Sequence, residues 1–128
     1  DELRCLTPLA EFEVPQPALP EYQALIEKIS ARLSHPWTLA DIAHLLKISE
    51  RTVSRQFTQQ TGLSFIEWLR RLRLQHSLEL LLQGQSVVDV ALAVGYDSPS
   101  AFSTAFKQRI GLSPTQYVAG YQRNFTQV

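Results

Sequence analysis

Arginine and hydroxyl side chains gather on one side of a short segment, about residues 50–60, and such groups can bind the edges of DNA bases. Val53 and Phe57 are four residues apart, so they share one face of a helix with 3.6 residues per turn. The opposite face is polar and carries Arg51, Ser54, Arg55 and Thr58. Arginine can donate two hydrogen bonds to guanine O6 and N7, hydroxyls can contact bases or phosphates, and a helix fits the major groove. The pattern predicts a helix that reads base sequence.

A second segment, about residues 99–109, has the same arrangement. Its inward positions are the apolar residues Phe102, Ala105 and Phe106, and its outward positions are Ser100, Ser103, Thr104 and Lys107. This face holds a single cation, so we expect it to bind DNA less strongly. Any surface helix has a polar face, and an ordinary solvated surface is the alternative interpretation of each segment. The recurrence of small or hydrogen-bonding residues in the same outward positions favours the DNA interpretation.

The chain also repeats itself on a larger scale. Residues 38–43 match residues 86–91 at an offset of 48, and the apolar and glycine positions of 57–64 match those of 106–113 at an offset of 49. Trp68 matches Tyr117. The second copy therefore has one extra residue between its two helices. A repeat of this detail predicts two related modules, each made of a short helix, a tight turn and a second helix.

Helix starts and ends are well marked. Hydroxyl residues followed three positions later by an acid predict capping boxes or their close relatives, and these pairs are Thr38 with Asp41, Ser64 with Glu67, and Ser86 with Asp89. Two Ser-Pro pairs, at 98–99 and 113–114, place a cap before a proline, and Gly62 and Gly111 stand where helices end. The predicted helices are about 20–34, 38–46, 50–60, 65–83, 87–94, 99–109 and 114–123. The predicted fold class is all-α, with seven helices forming two helix-turn-helix subdomains joined by a long linker helix.

The predicted domain organisation follows from these elements. Residues 20–123 form the tandem domain, with the first unit at about 20–63, the linker helix at about 64–83 and the second unit at about 84–123. Residues 124–128 form a C-terminal tail. Residues 1–19, rich in proline, are expected to be an interdomain linker or the end of an upstream domain, which makes the chain a fragment of a longer protein.

The linker helix sets the expected separation of the two reading helices. At 1.5 Å per residue it is about 28 Å long, and helices that enter successive major grooves on one side of a duplex lie about 34 Å apart. Its Arg70 and Arg71 are expected near phosphate groups. Arg73 lies on the apolar stripe of this helix, so we expect a partly buried structural arginine with Asp41 or Asp89 as its partner.

Charge is distributed unevenly although the net charge is zero. Residues 1–34 carry six acids and three bases, whereas residues 35–128 carry nine bases and six acids. No apolar run approaches the roughly 20 residues that span a bilayer, so no membrane association and a cytoplasmic location are expected.

The sequence gives no support for a metal site, an internal disulfide or a catalytic centre. His35, His44 and His76 do not have the spacing of metal ligands, and the single Cys5 cannot form an internal disulfide or a cysteine-based zinc site. There is no nucleophile with a base and no glycine-rich phosphate loop. We therefore expect no enzyme activity, no cofactor and no metal. The large aromatic residues are expected in the core, namely Trp37, Trp68, Tyr96 and Tyr117.

With these residues in view, the chain resembles the AraC/XylS transcription regulators over about residues 20–123. The most specific matches are the segments 89–96, 98–103, 106–107 and 111–117. The resemblance implies the C-terminal DNA-binding domain of a bacterial activator or repressor, with two reading helices on an asymmetric site. The positions that match the base-contacting positions of the family are Arg51, Thr52, Ser54 and Arg55 in the first unit, and Pro99, Ser100, Ser103 and Thr104 in the second.

The resemblance also implies partners and shows two departures. Family members commonly have an N-terminal domain that binds an effector and dimerises, and RNA polymerase is an expected partner. Thr104 stands where many members have arginine, and Lys47 stands in a turn where the second copy has Gly95. The first alternative to DNA binding is a helical protein-interaction module that docks on the transcription machinery.

Overall fold

The computed structural model describes residues 14–126, and their side chains through residue 122. This part of the chain consists of seven α-helices without a strand, which confirms the predicted fold class. The helices are α1 (Pro20–Ala31), α2 (Leu39–Leu46), α3 (Glu50–Thr61), α4 (Phe65–Leu82), α5 (Val87–Ala93), α6 (Pro99–Ile110) and α7 (Pro114–Thr126).

The chain divides into two compact units, one of them Val14–Arg73 and the other containing α5, α6 and α7. The boundary between Arg73 and Leu74 falls inside α4, so each unit includes part of this helix. Of the predicted interdomain linker, residues 1–13 lie outside the described part of the chain, as do residues 127–128 of the predicted tail. The remaining domain boundaries stay predictions.

Aromatic rings form the core of the first unit. The ring of Phe57 lies 5.3 Å, between centroids, from each of Tyr22, Phe65 and Trp68, and meets all three in edge-to-face geometry. Each of these four side chains is buried. Edge-to-face pairs at this distance stabilise a core beyond the burial of their area, so Phe57 fixes α3 against both α1 and α4.

The core of the second unit follows the same plan with fewer rings. Phe106 lies 5.6 Å from Phe102 and 5.9 Å from Tyr117, measured between centroids, and all three are buried. The prediction of a core position is confirmed for Trp37, Trp68 and Tyr117. Tyr96 is only half-buried, because it lies in the turn before α6 and contacts Phe102 with one side of its ring.

The predicted caps are present at the helix starts. Thr38 and Asp41 form a complete capping box, since the Asp41 amide donates to Thr38 Oγ1 at 3.2 Å and the Thr38 amide donates to the Asp41 carboxylate at 2.9 Å. That backbone hydrogen bond is the main cause that lowers the pKa of Asp41. A second box, not predicted from the sequence, is formed by Ser113 and Gln116, which exchange the same two bonds at 3.1 and 3.0 Å.

The repeat extends to individual backbone hydrogen bonds. The amide of Ile48 donates to Ala43 in the first copy, and the amide of Tyr96 donates to Ala91 in the second, at the predicted offset of 48. After the turn the offset is 49. This offset separates the two bonds in which a backbone amide from the first turn of each reading helix donates to the carbonyl of the N-cap serine. The extra residue of the second copy therefore lies in the turn between α5 and α6.

Lys47 adopts the left-handed conformation at the end of α2, with φ 58° and ψ 40°. It is the only residue other than glycine with positive φ in the described part of the chain, and Gly95 takes the matching position with φ 97°. A side chain in this region crowds the following carbonyl oxygen. Lys47 therefore adopts a strained backbone conformation that Gly95 adopts without a side chain.

We expect Lys47→Gly to raise the free energy of unfolding by about 1 kcal/mol, because the left-handed region costs a non-glycine residue about 1–2 kcal/mol and glycine is more flexible when unfolded. Chemical denaturation of the two proteins measures the difference. Lys47→Ala is the matched control, since it removes the same charge and keeps a Cβ. An equal gain in both variants would trace the effect to charge and contradict the strain.

Candidate nucleic-acid interface

The helix α3 separates its two faces as predicted. Val53 and Phe57 are fully buried, whereas the side chains predicted to face outward are exposed, namely Arg51, Ser54, Arg55 and Thr58. These four residues line one shallow surface groove together with Gln59. The structure thus brings four of the five DNA-binding residues predicted for the first unit onto a single surface, which we call the α3 groove.

Gln59 is the member of the α3 groove that sequence analysis did not name. It follows Arg55 by four residues, so the spacing that placed Arg51 with Arg55 could have identified it as well. A glutamine side chain can both accept and donate a hydrogen bond at the edge of adenine. The groove therefore offers two guanidinium groups, two hydroxyls and one amide.

Local hydrogen bonds constrain the hydroxyls of this face. The Thr58 hydroxyl donates to the backbone carbonyl of Ser54 at 3.0 Å. Thr52, the fifth predicted residue, is half-buried at the start of α3, where its hydroxyl lies 2.9 Å from that of the N-cap Ser49. Thr52 therefore takes part in the cap of the reading helix, and its predicted contact with DNA stays a prediction.

The charges near the α3 groove favour an anionic partner. Within residues 14–122, neither Arg51 nor Arg55 forms an ion pair with a carboxylate. Glu50 directly precedes Arg51 in the first turn of α3 but forms no ion pair with it. Glu67 lies 3.9 Å from Arg70 and 3.7 Å from Arg71. Both arginines of the groove thus keep their charge and their donors for a ligand.

The corresponding helix of the second unit, α6, presents a less basic surface. Ser100, Thr104 and Lys107 are exposed, while Pro99 and Ser103 are half-buried. The hydroxyl of Ser98 caps the helix by accepting from the amide of Ala101 at 3.0 Å. All five residues predicted for this unit lie on α6, and their contacts with DNA also stay predictions.

Arg73 is the partly buried structural arginine that the sequence predicted. Its Nη2 donates to the backbone carbonyls of Leu33 and His35, at 3.3 and 3.0 Å. These acceptors differ from the predicted Asp41 or Asp89, because the connection between α1 and α2 turns its carbonyls towards α4. Arg70, by contrast, is 61% exposed and Arg71 is 35% exposed, and their predicted positions near phosphate stay predictions.

The other polar clusters of the chain have structural explanations. His35 lies 3.7 Å from the Asp41 carboxylate and packs against Trp37. Among residues 14–126, no three histidine, cysteine, aspartate or glutamate side chains are placed to share a metal ion. No helix in that range has the length and apolar character needed to span a bilayer.

Comparison with known proteins places these features in a family. Residues 42–120 match the helix-turn-helix domain family. Among curated relatives, the HTH-type transcriptional regulator NimR of Escherichia coli is 33% identical over 112 residues, which are 88% of this chain and 41% of NimR. The chain thus spans about two-fifths of the length of this relative.

Two solved structures extend the comparison to the fold. A transcriptional regulator with an AraC-type DNA-binding domain from Chromobacterium violaceum is 28% identical, with a TM-score of 0.72 over 78% of this chain and 90% of that one. The DNA-binding domain of AdpA, solved in complex with a target DNA, is also 28% identical, with a TM-score of 0.73 over 94% of this chain and 98% of that one.

Proposed function

This chain is a helix-turn-helix domain of the AraC/XylS family of transcription regulators, and we propose that it binds one asymmetric double-stranded DNA site. In this proposal α3 and α6 enter two successive major grooves. The contacting residues of α3 are Arg51, Thr52, Ser54, Arg55, Thr58 and Gln59. Those of α6 are Pro99, Ser100, Ser103, Thr104 and Lys107.

The observation that carries the proposal is the α3 groove. It joins two arginines without carboxylate partners in the described chain to hydroxyl and amide donors, on the face opposite the fully buried Val53 and Phe57. Arginine contributes bidentate bonds to guanine, and glutamine bonds to adenine. The AdpA domain, which matches nearly the whole chain and was solved with its target DNA, supports the same use of this fold.

Selection from random duplexes tests the proposal directly. The chain should enrich one sequence and shift it in a gel in the presence of excess competitor DNA, because base contacts add to the phosphate contacts that all DNA offers. Salt concentration is held fixed, since phosphate binding depends steeply on it. Equal binding to selected and random duplexes would favour the alternative, a protein-interaction module.

The two halves of the selected site should differ in how strictly they specify their bases. We expect the half under α3 to be more sharply defined, because α3 presents Arg51 and Arg55 whereas the matching positions of α6 are Ser100 and Thr104. Thr104→Arg should sharpen the second half, since it restores the donor fork that reads guanine. Its control is Thr104→Lys, which adds the same charge without the fork. A selected motif with equal information in both halves would contradict the asymmetry.

Further proposals concern the longer protein to which such a domain belongs. We propose that effector binding and dimerisation reside in a separate N-terminal domain, that the chain acts in the bacterial cytoplasm, and that it is not an enzyme. RNA polymerase is the proposed protein partner. The apolar side chains of Val88 and Leu92, one turn apart on α5 and 52% and 54% exposed, support a protein contact on the second unit.

A further inference from the structure

The segment before α1, whose prolines predict an interdomain linker, is packed onto the first unit. Val14 and Pro17 are buried, and Pro15 is half-buried. The indole Nε1–H of Trp68, whose ring is fully buried, donates to the carbonyl of Pro15 at 2.8 Å. We call residues 14–18 the strap, because this segment without regular secondary structure contacts elements that are distant in sequence.

The strap is also bonded to the reading helix. The amide of Ala18 donates to Oε1 of Gln60 at 2.9 Å, and just beyond the strap the hydroxyl of Tyr22 donates to Oε1 of Gln56 at 2.5 Å. Gln56 and Gln60 are one turn apart on α3, beside the face that carries Arg55 and Gln59. The strap therefore holds α3 from the side, next to the α3 groove.

These contacts belong to the first copy of the repeat alone. At the offset of 49, Gln56 matches Ala105 and Gln60 matches Arg109, and neither of these has a side-chain acceptor. Trp68 matches Tyr117, whose buried hydroxyl has no hydrogen-bond partner in the described part of the chain. The second copy therefore has the same fold without the amide and indole groups that bind the strap in the first copy.

We propose that the strap positions α3 for base reading, so that Gln60 and Trp68 are positioning residues and release of the strap weakens recognition by the first unit selectively. This inference rests on the proposed function. In this proposal residues 14–18 act as a mechanical connection, so a movement of any preceding segment is transmitted to α3. The second unit, which lacks the matching groups, keeps its recognition when the strap is released.

Val14→Asp tests the proposal in the full chain, because it places a charge at a buried position of the strap and leaves α3 unchanged. Its matched control is Ala18→Asp, which adds the same charge at an exposed position and keeps the backbone amide that binds Gln60. Hydrogen exchange of the Trp68 indole reports whether the strap is bound. The Trp37 indole, which donates to the backbone carbonyl of Arg32 at 2.9 Å within the first unit, is the internal reference.

The expected result has two parts. In Val14→Asp, hydrogen exchange of the Trp68 indole should accelerate relative to that of the Trp37 indole. The affinity for a site with the selected α3 half, divided by the affinity for a site in which that half is randomised, should fall about tenfold, which is the effect of one lost hydrogen bond. Discrimination between base sequences in the α6 half should not change, and Ala18→Asp should match the wild-type chain in both measurements. Gln60→Ala, which removes only the acceptor for Ala18, should show the same selective loss. Gln23→Ala, at an exposed position of α1, is its control.

Two results would overturn the inference. Faster Trp68 exchange with unchanged discrimination under α3 would make the strap a passive attachment. Slow Trp68 exchange in Val14→Asp together with a loss of discrimination under α3 would show that the loss does not come from release of the strap. A wild-type chain that selects no DNA sequence would instead refute the proposed function, and the exchange measurement would still test whether the strap is bound.

Discussion

Replacing Arg55 by alanine is expected to weaken binding to the selected site by about 1–3 kcal/mol, and to relax the preference at one or two base pairs under α3. Arg55 is exposed in the centre of the α3 groove, four residues from Arg51, and forms no ion pair in the described part of the chain. Its loss removes a pair of hydrogen bonds to a base edge and leaves the fold intact. Titration of selected and random duplexes at one salt concentration measures both effects.

Two variants separate base reading from attraction to phosphate. Arg55→Lys keeps the charge and loses the planar fork, so it should retain nonspecific affinity and still lose discrimination. Arg70→Ala removes an arginine that is 61% exposed on α4, and should weaken specific and random binding equally. Equal losses on both duplexes for Arg55→Ala would show that Arg55 contacts phosphate alone.

Short-range signals explain why the sequence predicted so much of the fold. Helix starts are encoded by a hydroxyl and a group three residues later, so Thr38 with Asp41 could be identified from spacing alone. Ser113 with Gln116 obeys the same spacing with an amide in place of the acid, so a rule that requires an acid three residues after the hydroxyl does not find it. The inward and outward faces of α3 follow from helical periodicity in the same way.

Contacts between distant residues were beyond reach of these rules. Arg73 was recognised as structural from its place on an apolar stripe, but its acceptors are carbonyls of Leu33 and His35, which no spacing in the sequence connects with it. The strap is a similar case. The prolines predict an interdomain linker or the end of an upstream domain, and only the fold shows that the Trp68 indole has the carbonyl of Pro15 within hydrogen-bond distance.

The largest expected effect concerns the spacing of the two half-sites. We expect the chain to bind as a monomer to a non-palindromic site of about 20 base pairs, because one chain supplies two reading helices where a single helix-turn-helix protein needs a dimer. The two copies are related as a direct repeat, with matching backbone hydrogen bonds before and after the turn, so their half-sites should not be inverted copies. Sedimentation of the complex gives the stoichiometry, and a footprint gives the site length.

Inserting five base pairs between the half-sites turns one groove about half a helical turn away from the other. Only one unit can then bind its half-site, and specific affinity should fall about 100-fold or more, towards that of a single unit, because linked binding of the second unit is lost. Inserting ten base pairs restores the rotation but not the distance, and should recover little affinity unless the DNA bends. A two-to-one complex on a palindrome, or unchanged affinity after the five-base-pair insertion, would contradict binding by one chain through both helices.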